Sequence, residues 1–420
     1  MLVWGYLLPS AGVRVLQIHN RYTQPGGEDV AVDRDAAILR ASGHEVVQHV
    51  VTNPDDLGRA AVNLTLSPWN PFAKRALANV VEEARPDVAH VHNTWFSLTA
   101  ATISALSEAG IPIVMTLHNY RLMCINALLM RDNKPCTLCV GASPWSGVRY
   151  RCYRGSVAAS AAAAAAIAAN RQSNIWSRVD RFVVMSEFVA SMFERGGILR
   201  ERMEVRPNFA EDPGPRPNPA SASDTVLFVG RLAPEKGIEF LLDTWHSADT
   251  ASLKIRVVGD GPLRSALERR HPGVEFTGFL DAGEVRRQML TARALVFPSL
   301  WYEGANPLTV TEALASRLPV LGSDQGAMSE VLSGFGGWLR SPGDVADWNA
   351  GLVMLNDDRE VDRAGDAARD LYEQRYTTDK ALRALEGIYT GVAAQASVAE
   401  QSPQPGDTAP PMKPVDVGGL

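Results

Sequence analysis

The chain has 420 residues, of which 46% are hydrophobic and 21% are charged, so it can form two or three globular domains and is neither a disordered nor a collagen-like protein. Its 41 basic and 47 acidic residues leave a formal net charge of −6, which argues against a broad electrostatic affinity for nucleic acid. No apolar run approaches the roughly 18 to 20 residues that cross a bilayer, and four cysteines are too few for a disulfide scaffold.

Residues 1–12 precede the first predicted strand. They contain an apolar stretch, but they lack the basic start and the small-residue cleavage site of a secretory signal. We therefore expect an N-terminal extension on a cytoplasmic protein.

The N-terminal half alternates predicted strands with helix-length segments. Apolar and β-branched runs predict strands at residues 13–18, 45–51, 87–93, 112–119 and 181–186. A turn containing Gly26-Gly27 follows the first strand, and a helical pattern follows that turn. This alternation is typical of a mostly parallel sheet covered by helices on both faces, and it predicts an N-terminal, acceptor-side domain at 13–209.

Residues 210–223 contain four prolines and predict an interdomain linker. The strand–helix pattern then resumes, with strands predicted at 225–232, 253–261, 274–279, 294–299 and 319–323. We assign 224–395 to a second domain, whose last helix can pack back on the first, and 396–420 to a disordered tail rich in proline and glycine. The predicted fold class is α/β, with two doubly wound parallel-sheet (Rossmann-like) domains facing across a cleft.

Polar turns follow two strands of the second domain, at the strand ends where open parallel sheets bind ligands. The first turn carries Gly230, Arg231 and Lys236, and the second carries Gly259. An arginine fork beside a lysine suits the oxygens of a diphosphate. An exposed basic loop or a ligand-free tight turn would show the same residues, so each signal is weak by itself.

A third turn in this domain contains Gly304, Ala305 and Asn306, ahead of a proline suited to the first position of a helix. Asn306 is the predicted N-cap, and the helix start is expected to face the cleft. Glu303 before the turn and Glu312 on the helix could accept hydrogen bonds from sugar hydroxyls, although carboxylates on helices are more often simply solvated.

Taken together and in order, these motifs resemble the C-terminal domain of retaining family-four glycosyltransferases (glycosyl transferases group 1), which have the GT-B fold. The motifs are Gly230-Arg231, Glu235-Lys236-Gly237, residues 258–262, Phe297-Pro298-Ser299, and Glu303 through Glu312-Ala313. The similarity spans about residues 13–392 and also includes Gly26-Gly27, His118, Ser186 and Pro207-Asn208.

The resemblance implies that Arg231 and Lys236 bind the donor diphosphate, that Glu303 contacts the transferred sugar, and that Glu312 contacts the ribose. It further implies that His118 orients the sugar beside the anomeric carbon. Because cationic side chains and helix N-termini can neutralise the leaving diphosphate, no catalytic metal is expected.

The resemblance also implies that Gly26 and Gly27 let donor phosphate or acceptor approach the backbone. One departure from the family pattern concerns the two glutamates: eight residues separate Glu303 from Glu312, where the family has seven. We expect the turn at 304–306 to take up the extra residue. This would leave the position of Glu312 unchanged and alter the direction in which the Glu303 carboxylate points.

We therefore expect a hexosyltransferase that transfers a hexose from a nucleoside diphosphate sugar to a hydroxyl of a cell-envelope glycan or lipid-linked acceptor. Two alternatives remain at this point. Turnover of the donor without an acceptor would favour a sugar-nucleotide epimerase of the same fold. Binding without transfer would indicate a non-catalytic sugar-nucleotide-binding protein.

Two acidic residues in the first helix, Asp33 and Asp35, flank Arg34 in a D-x-D pattern that metal-dependent transferases of another fold use. In a helix the two carboxylates point about 200° apart, so we expect a solvated face rather than a metal site. His19, His90 and His92 lie at predicted strand ends and are candidate acceptor contacts.

The four cysteines, Cys124, Cys136, Cys139 and Cys152, fall within 29 residues around a C-x₂-C core. Four thiolates suit a tetrahedral structural zinc, although the outer spacings are not those of a standard finger, so free thiols are the alternative.

A basic segment lies just after this cluster. Residues 149–181 contain six arginines and one acidic residue, and aromatic residues such as Trp145 and Tyr150 lie close to them in the sequence. This segment could dock an anionic lipid headgroup at the inner face of the cell membrane or a phosphate-bearing acceptor, or it is a solvated basic helix.

Overall fold

A computed structural model describes residues 12–23, 26–303, 307–332 and 337–401. Most of the predicted N-terminal extension and residues 402–420 of the predicted tail lie outside the described residues.

The N-terminal domain is built on a six-stranded parallel sheet with the order β2-β1-β3-β4-β7-β8. Its strands are β1 (Arg14–Arg21), β2 (Glu45–Thr52), β3 (Val88–Asn93), β4 (Ile113–Thr116), β7 (Arg181–Val184) and β8 (Met203–Val205). A short hairpin, β5 (Met130–Arg131) and β6 (Lys134–Pro135), interrupts the alternation. The helices are α1 (Gly27–Ala41), α2 (Leu57–Thr65), α3 (Pro71–Ala84), α4 (Ala101–Glu108), α5 (Ser146–Arg149), α6 (Val157–Gln172) and α7 (Glu187–Arg195).

The C-terminal domain repeats this plan with a second six-stranded parallel sheet of order β11-β10-β9-β12-β13-β14. Its strands are β9 (Thr225–Val229), β10 (Lys254–Val258), β11 (Glu275–Gly278), β12 (Ala294–Phe297), β13 (Val320–Ser323) and β14 (Gly337–Arg340). The helices are α8 (Ile238–Ser247), α9 (Arg264–Arg270), α10 (Ala282–Thr291), α11 (Leu308–Ala315), α12 (Ala327–Leu332), α13 (Val345–Met354), α14 (Asp358–Arg375) and α15 (Thr378–Gln401).

The strand pattern explains why the fold class was predictable. Strand β12 and residues 226–229 of β9 are buried and apolar throughout, so the sequence there runs without polar alternation, whereas β3 is equally buried but contains His90, His92 and Asn93. The two doubly wound parallel-sheet domains confirm the predicted α/β class. Three described features were not predicted: the short outer strands β8 and β14, and the hairpin β5–β6.

The last helix, α15, leaves the C-terminal domain and packs on the N-terminal one. Leu385 and Tyr389 are buried in one cluster with Val15 and Leu39. The helix continues to Gln401, so the first residues of the predicted tail are helical. The alanine-rich sequence there continues the helix, and the first proline of the tail comes only at Pro403.

Residues 210–223 join the two domains but lie against the C-terminal one. The Ala210 N–H donates to the Tyr376 carbonyl (3.1 Å), and the guanidinium of Arg216 donates to the carbonyls of Met289 and Ser316. Burial lowers the pKa of Arg216 to about 10. The proline-rich composition did not reveal this packing because hydrogen bonds and ion pairs, such as those of Asp212 with Arg369 and of Ser221 with Asp362, hold the segment rather than large apolar side chains.

Within the described ranges, no helix is both long enough and apolar enough to span a bilayer.

Candidate functional site

The loop after β9 approaches the loop after β12 so closely that glycine is required. Gly237 begins α8 at φ +69, and a Cβ there would lie 2.0 Å from the Pro298 carbonyl oxygen. Gly259 has φ +134, and a Cβ there would lie 2.0 Å from the Gly230 oxygen. These contacts bring the carboxyl ends of β9, β10 and β12 together at one edge of the sheet.

Lys236 and Glu303 form the polar centre of this edge. The Lys236 Nζ lies 2.8 Å from Glu303 Oε1, and the ammonium lies 5.3 Å from the centroid of the Trp301 ring. Ser299 Oγ and Trp301 Nε1 donate to the same oxygen, at 2.7 and 2.9 Å. Three donors therefore fix a carboxylate that is only 5% exposed.

Arg231, the second predicted diphosphate ligand, takes a different partner. Its side chain is 56% exposed and bonds Glu235 Oε1 at 2.7 Å. The guanidinium thus lies in the same turn as Lys236 and is accessible to solvent.

The turn that carries Gly304, Ala305 and Asn306 lies outside the described residues. Helix α11 begins at Leu308 with Pro307 as its N-cap, one residue later than predicted. The fixed φ angle of proline suits both the N-cap and the first helical position, so the sequence pattern could not decide at which residue α11 begins.

Glu312, the predicted ribose contact, is bonded to the other domain. Arg34 of α1 donates to Glu312 Oε1 and also to the Phe209 carbonyl (3.3 Å). A ribose at Glu312 would therefore replace an interdomain ion pair.

The two aspartates of the D-x-D pattern differ in their exposure to solvent. Asp33 is exposed and accepts two bonds from Arg21, whereas Asp35 is 1% exposed and accepts two bonds from Arg206 at 2.6 and 3.1 Å. The expectation of a solvated face is thus wrong for Asp35, because its side of α1 is buried and faces Arg206, which directly follows β8.

On the N-terminal side of the cleft, His118 follows β4 and Tyr120 reaches the other domain. The Tyr120 hydroxyl donates to the Glu303 carbonyl oxygen at 3.1 Å. His118 Nε2 lies 3.1 Å from His92 Nδ1, and burial lowers the pKa of His118 to about 3. His118 is therefore a neutral ring at physiological pH.

The Gly26-Gly27 turn also faces the C-terminal domain. A Cβ at Gly27 would lie 3.8 Å from the Leu308 side chain of α11. Asp29 holds the turn, since its carboxylate accepts from the Gly26 N–H (2.8 Å) and lies 2.9 Å from His19 Nε2. His19 is thus engaged by α1 through Nε2, while its Nδ1 is buried without a partner among the described residues; both nitrogens of His90 are engaged, by Thr116 and Tyr389.

Glu28 is a functional candidate that the sequence reasoning missed, although it directly follows the double glycine. Its Oε2 accepts from Asn119 Nδ2 at 3.1 Å, and its Oε1 is buried without a partner among the described residues. Burial raises the pKa of Glu28 from 4.5 to about 8.

The raised pKa of Glu28 gives a pH-dependent stability. Between about pH 4.5 and 8 the folded protein binds a proton at Glu28 that the unfolded chain has released, so stability falls as pH rises through this window. Glu28→Gln removes this dependence. We expect the melting temperature of the wild type, relative to that of Glu28→Gln, to be lower at pH 8 than at pH 5. The exposed Glu83→Gln is the control, and an unchanged difference between Glu28→Gln and wild type at both pH values would contradict the assignment.

The four cysteines lie in one region without forming a ready metal site. Burial and the neighbouring Cys124 raise the pKa of Cys139 to about 11, and Cys124 Sγ donates to Asn126 Oδ1. In the part of the chain that the structure describes, no three His, Cys, Asp or Glu side chains are arranged to hold one metal ion.

The structural zinc thus stays a prediction. We expect purified protein to contain about one zinc per chain, and Cys136→Ser to lower the melting temperature more than the neighbouring Thr137→Ser, because thiolate ligation stabilises the fold. Metal-free protein with four thiols that titrate freely in the native state would contradict it.

Both domains match glycosyltransferase families. Residues 26–208 match the glycosyl transferase 4-like domain, and residues 223–358 match the glycosyl transferases group 1. The two matches together cover most of the chain.

Three curated relatives show the range of similarity. Sulfoquinovosyl transferase SQD2 of Arabidopsis thaliana is 33% identical over 37% of this chain and 32% of its own length. The putative teichuronic acid biosynthesis glycosyltransferase TuaC of Bacillus subtilis is 29% identical over 59% of this chain and 55% of its own length. A GDP-mannose-dependent phosphatidylinositol dimannoside mannosyltransferase of Mycobacterium tuberculosis is 25% identical over 76% of this chain and 82% of its own length. The chain thus matches about a third and about half of the length of the first two.

Solved structures match over nearly the whole chain. HepE of Anabaena, solved with UDP-glucose, has a TM-score of 0.60 at 16% identity, over 92% of this chain and 99% of its own. Sucrose-phosphate synthase of Thermosynechococcus elongatus has a TM-score of 0.62 at 15% identity, over 93% and 98%. At these identities the likeness shows the fold.

Proposed function

Since this chain belongs to the glycosyltransferases of GT-B fold, we propose that it is a retaining hexosyltransferase that uses a nucleoside diphosphate sugar. The proposed acceptor is a hydroxyl of a cell-envelope glycan or of a lipid-linked acceptor.

The observation that carries this proposal is the Lys236–Glu303 pair, held at the cleft against the loop that follows His118. An ammonium beside a fixed carboxylate supplies both groups that a sugar diphosphate needs: a cation for the phosphate oxygens and an acceptor for sugar hydroxyls. When the donor binds, Lys236 can turn from Glu303 to the diphosphate, because the turn after β9 and the loop after β12 meet at the same edge of the sheet.

In the proposed reaction the bond between the anomeric carbon and the diphosphate breaks, and the acceptor hydroxyl attacks from the same face. Lys236, Arg231 and backbone N–H groups stabilise the charge on the leaving diphosphate. Glu303 and His118 position the sugar. Glu312 gives up its ion pair with Arg34, and its carboxylate then binds the ribose. No side chain is assigned as a covalent nucleophile, and the acceptor hydroxyl passes its proton to the leaving phosphate.

The donor class is supported by HepE, which was solved with UDP-glucose. The acceptor class is supported by relatives whose names refer to teichuronic acid biosynthesis and to phosphatidylinositol dimannoside. A thermal-shift panel of UDP- and GDP-sugars tests donor binding, because a ligand at 100 times its Kd adds about 2.7 kcal/mol to the stability. The absence of a shift with every nucleotide sugar would contradict the proposal.

We place the acceptor at the inner face of the cell membrane, and the segment around α5 supports this location. Trp145 and Tyr150 are 50% and 45% exposed, and Arg149, Arg151 and Arg154 are exposed beside them. The remaining three arginines of 149–181 bond backbone carbonyls or a serine of the protein, so the basic surface is smaller than the sequence indicated. Arginines beside exposed aromatics suit the headgroups of anionic lipids.

Transfer is expected to proceed without a divalent metal, because protein groups neutralise the leaving diphosphate. Activity should be unchanged in EDTA, measured as released nucleoside diphosphate. A metal-dependent glycosyltransferase serves as the positive control for chelation. A strict requirement for added Mg²⁺ or Mn²⁺ would contradict this part of the mechanism.

A further inference from the structure

We propose that His92 is a positioning residue that holds His118 in the tautomer with its proton on Nδ1. His118 then presents a hydrogen-bond donor to the substrate and cannot act as a base. The consequence for catalysis rests on the function proposed above, whereas the tautomer itself does not.

A chain of hydrogen bonds joins Gln17, His92 and His118, and we call these three residues the relay. Its first residue, Gln17, is 1% exposed. Gln17 Nε2 lies 3.0 Å from the Val32 carbonyl oxygen, which can only accept. Gln48 Nε2 lies 2.7 Å from Gln17 Oε1 and donates to it. These two contacts fix which end of the Gln17 amide carries the hydrogens.

The next ring is His92, which is 3% exposed at the end of β3. Gln17 Nε2 has a second hydrogen and lies 3.3 Å from His92 Nε2. This ring nitrogen therefore accepts. Burial lowers the pKa of His92 well below its ordinary value, so the ring is neutral and its single proton is on Nδ1.

His92 Nδ1 in turn donates to His118 Nε2 at 3.1 Å. Because His118 is neutral and its Nε2 accepts, its proton lies on Nδ1. That N–H is the one polar hydrogen that the ring can offer to a ligand. His118 and His92 both line a cavity of about 40 Å³ within the N-terminal domain, and a substrate hydroxyl or phosphate oxygen that reaches His118 Nδ1 would find a donor there.

The packing around His92 keeps this relay in place. The His92 ring stacks on His118 with 5.3 Å between the centroids, and it contacts the tilted ring of His90 at 4.1 Å. Both nitrogens of His90 lie 2.7 Å from hydroxyl groups, of Thr116 and Tyr389, so His90 does not compete for the nitrogens of His92.

The tautomer is measured directly by long-range ¹H–¹⁵N correlation on protein labelled with ¹⁵N-histidine. The chain has eight histidines, and spectra of His92→Asn and His118→Asn assign the two rings. We expect both rings to be neutral at pH 7 with the proton on Nδ1. A proton on Nε2 of either ring, or a charged ring, would overturn the proposal, and this result is obtained whether or not the protein transfers sugar.

Activity variants test the positioning role. His92→Phe removes the donor, so the spectrum of His118 is expected to show both tautomers and kcat/KM to fall about 10- to 100-fold, mostly in kcat. His92→Asn keeps an amide N–H near the position of Nδ1 and should stay within about threefold of wild type. His49→Phe is the control outside the relay.

Equal activity of His92→Phe and wild type would overturn the role, as would a single His118 tautomer in His92→Phe. If the wild type turns over no nucleotide sugar at all, the proposed function fails, while the tautomer measurement still decides the relay.

Discussion

Lys236→Ala is expected to lower kcat/KM about 30- to 1,000-fold, which corresponds to a loss of about 2 to 4 kcal/mol of transition-state stabilisation. The variant loses the cation beside the leaving diphosphate. Among the described residues, it also leaves the carboxylate of Glu303, which is 5% exposed, with two neutral donors. The first effect should appear in kcat and the second in KM for the donor.

Lys254→Ala is the matched control, because this exposed lysine lies at the far end of β10 and pairs with Asp224. Its kcat/KM should equal that of the wild type. Arg231→Ala is expected to fall between the two, since its side chain is already half in solvent. Wild-type turnover by Lys236→Ala would remove Lys236 from the mechanism.

Asp35→Asn is expected to lower the free energy of unfolding by about 3 to 5 kcal/mol, because it leaves the guanidinium of Arg206 buried without its counter-charge. Both side chains are almost completely buried, at 2% and 3% exposure, and they share two hydrogen bonds. Urea unfolding followed by circular dichroism measures this loss.

Asp33→Asn in the same D-x-D motif is the control, since Asp33 is exposed and pairs with Arg21 at the surface. Its effect should stay within about 0.5 kcal/mol. Equal destabilisation by the two variants would show that the Asp35–Arg206 pair does not carry the expected energy.

The fold was predictable because the buried strands of a parallel sheet produce uninterrupted apolar runs. Strand β12 and residues 226–229 of β9 are such runs, and helices lie between the successive strands. Strand β8 has only three residues, and its middle residue is exposed, so it left no apolar run to detect.

The site was predictable where one loop carries its own chemistry. Arg231 and Lys236 lie within seven residues after β9, and a strand end is where a parallel sheet binds ligands. The partners of Glu303 depend partly on loops that are distant in the chain, such as the one that carries Tyr120.

Contacts between the domains had no local signal. Glu312 bonds Arg34, which is 278 positions away, and this pairing follows from how the two domains meet. The burial of Asp35 was missed for the same reason: Asp35 lies on the apolar side of α1 with Val32 and Leu39, but its partner Arg206 is 171 positions away.

The central claim is that this chain transfers sugar from a nucleoside diphosphate donor with retention. The most direct measurement incubates the protein with the nucleotide sugar selected by thermal shift and a membrane extract of the producing cells, and follows the anomeric proton of the product by NMR. The proposal predicts a new glycoside with the same anomeric configuration as the donor, formed by the wild type and lost in Lys236→Ala. An inverted anomer, an epimerised donor without a new glycoside, or a bound donor that is never consumed would contradict it.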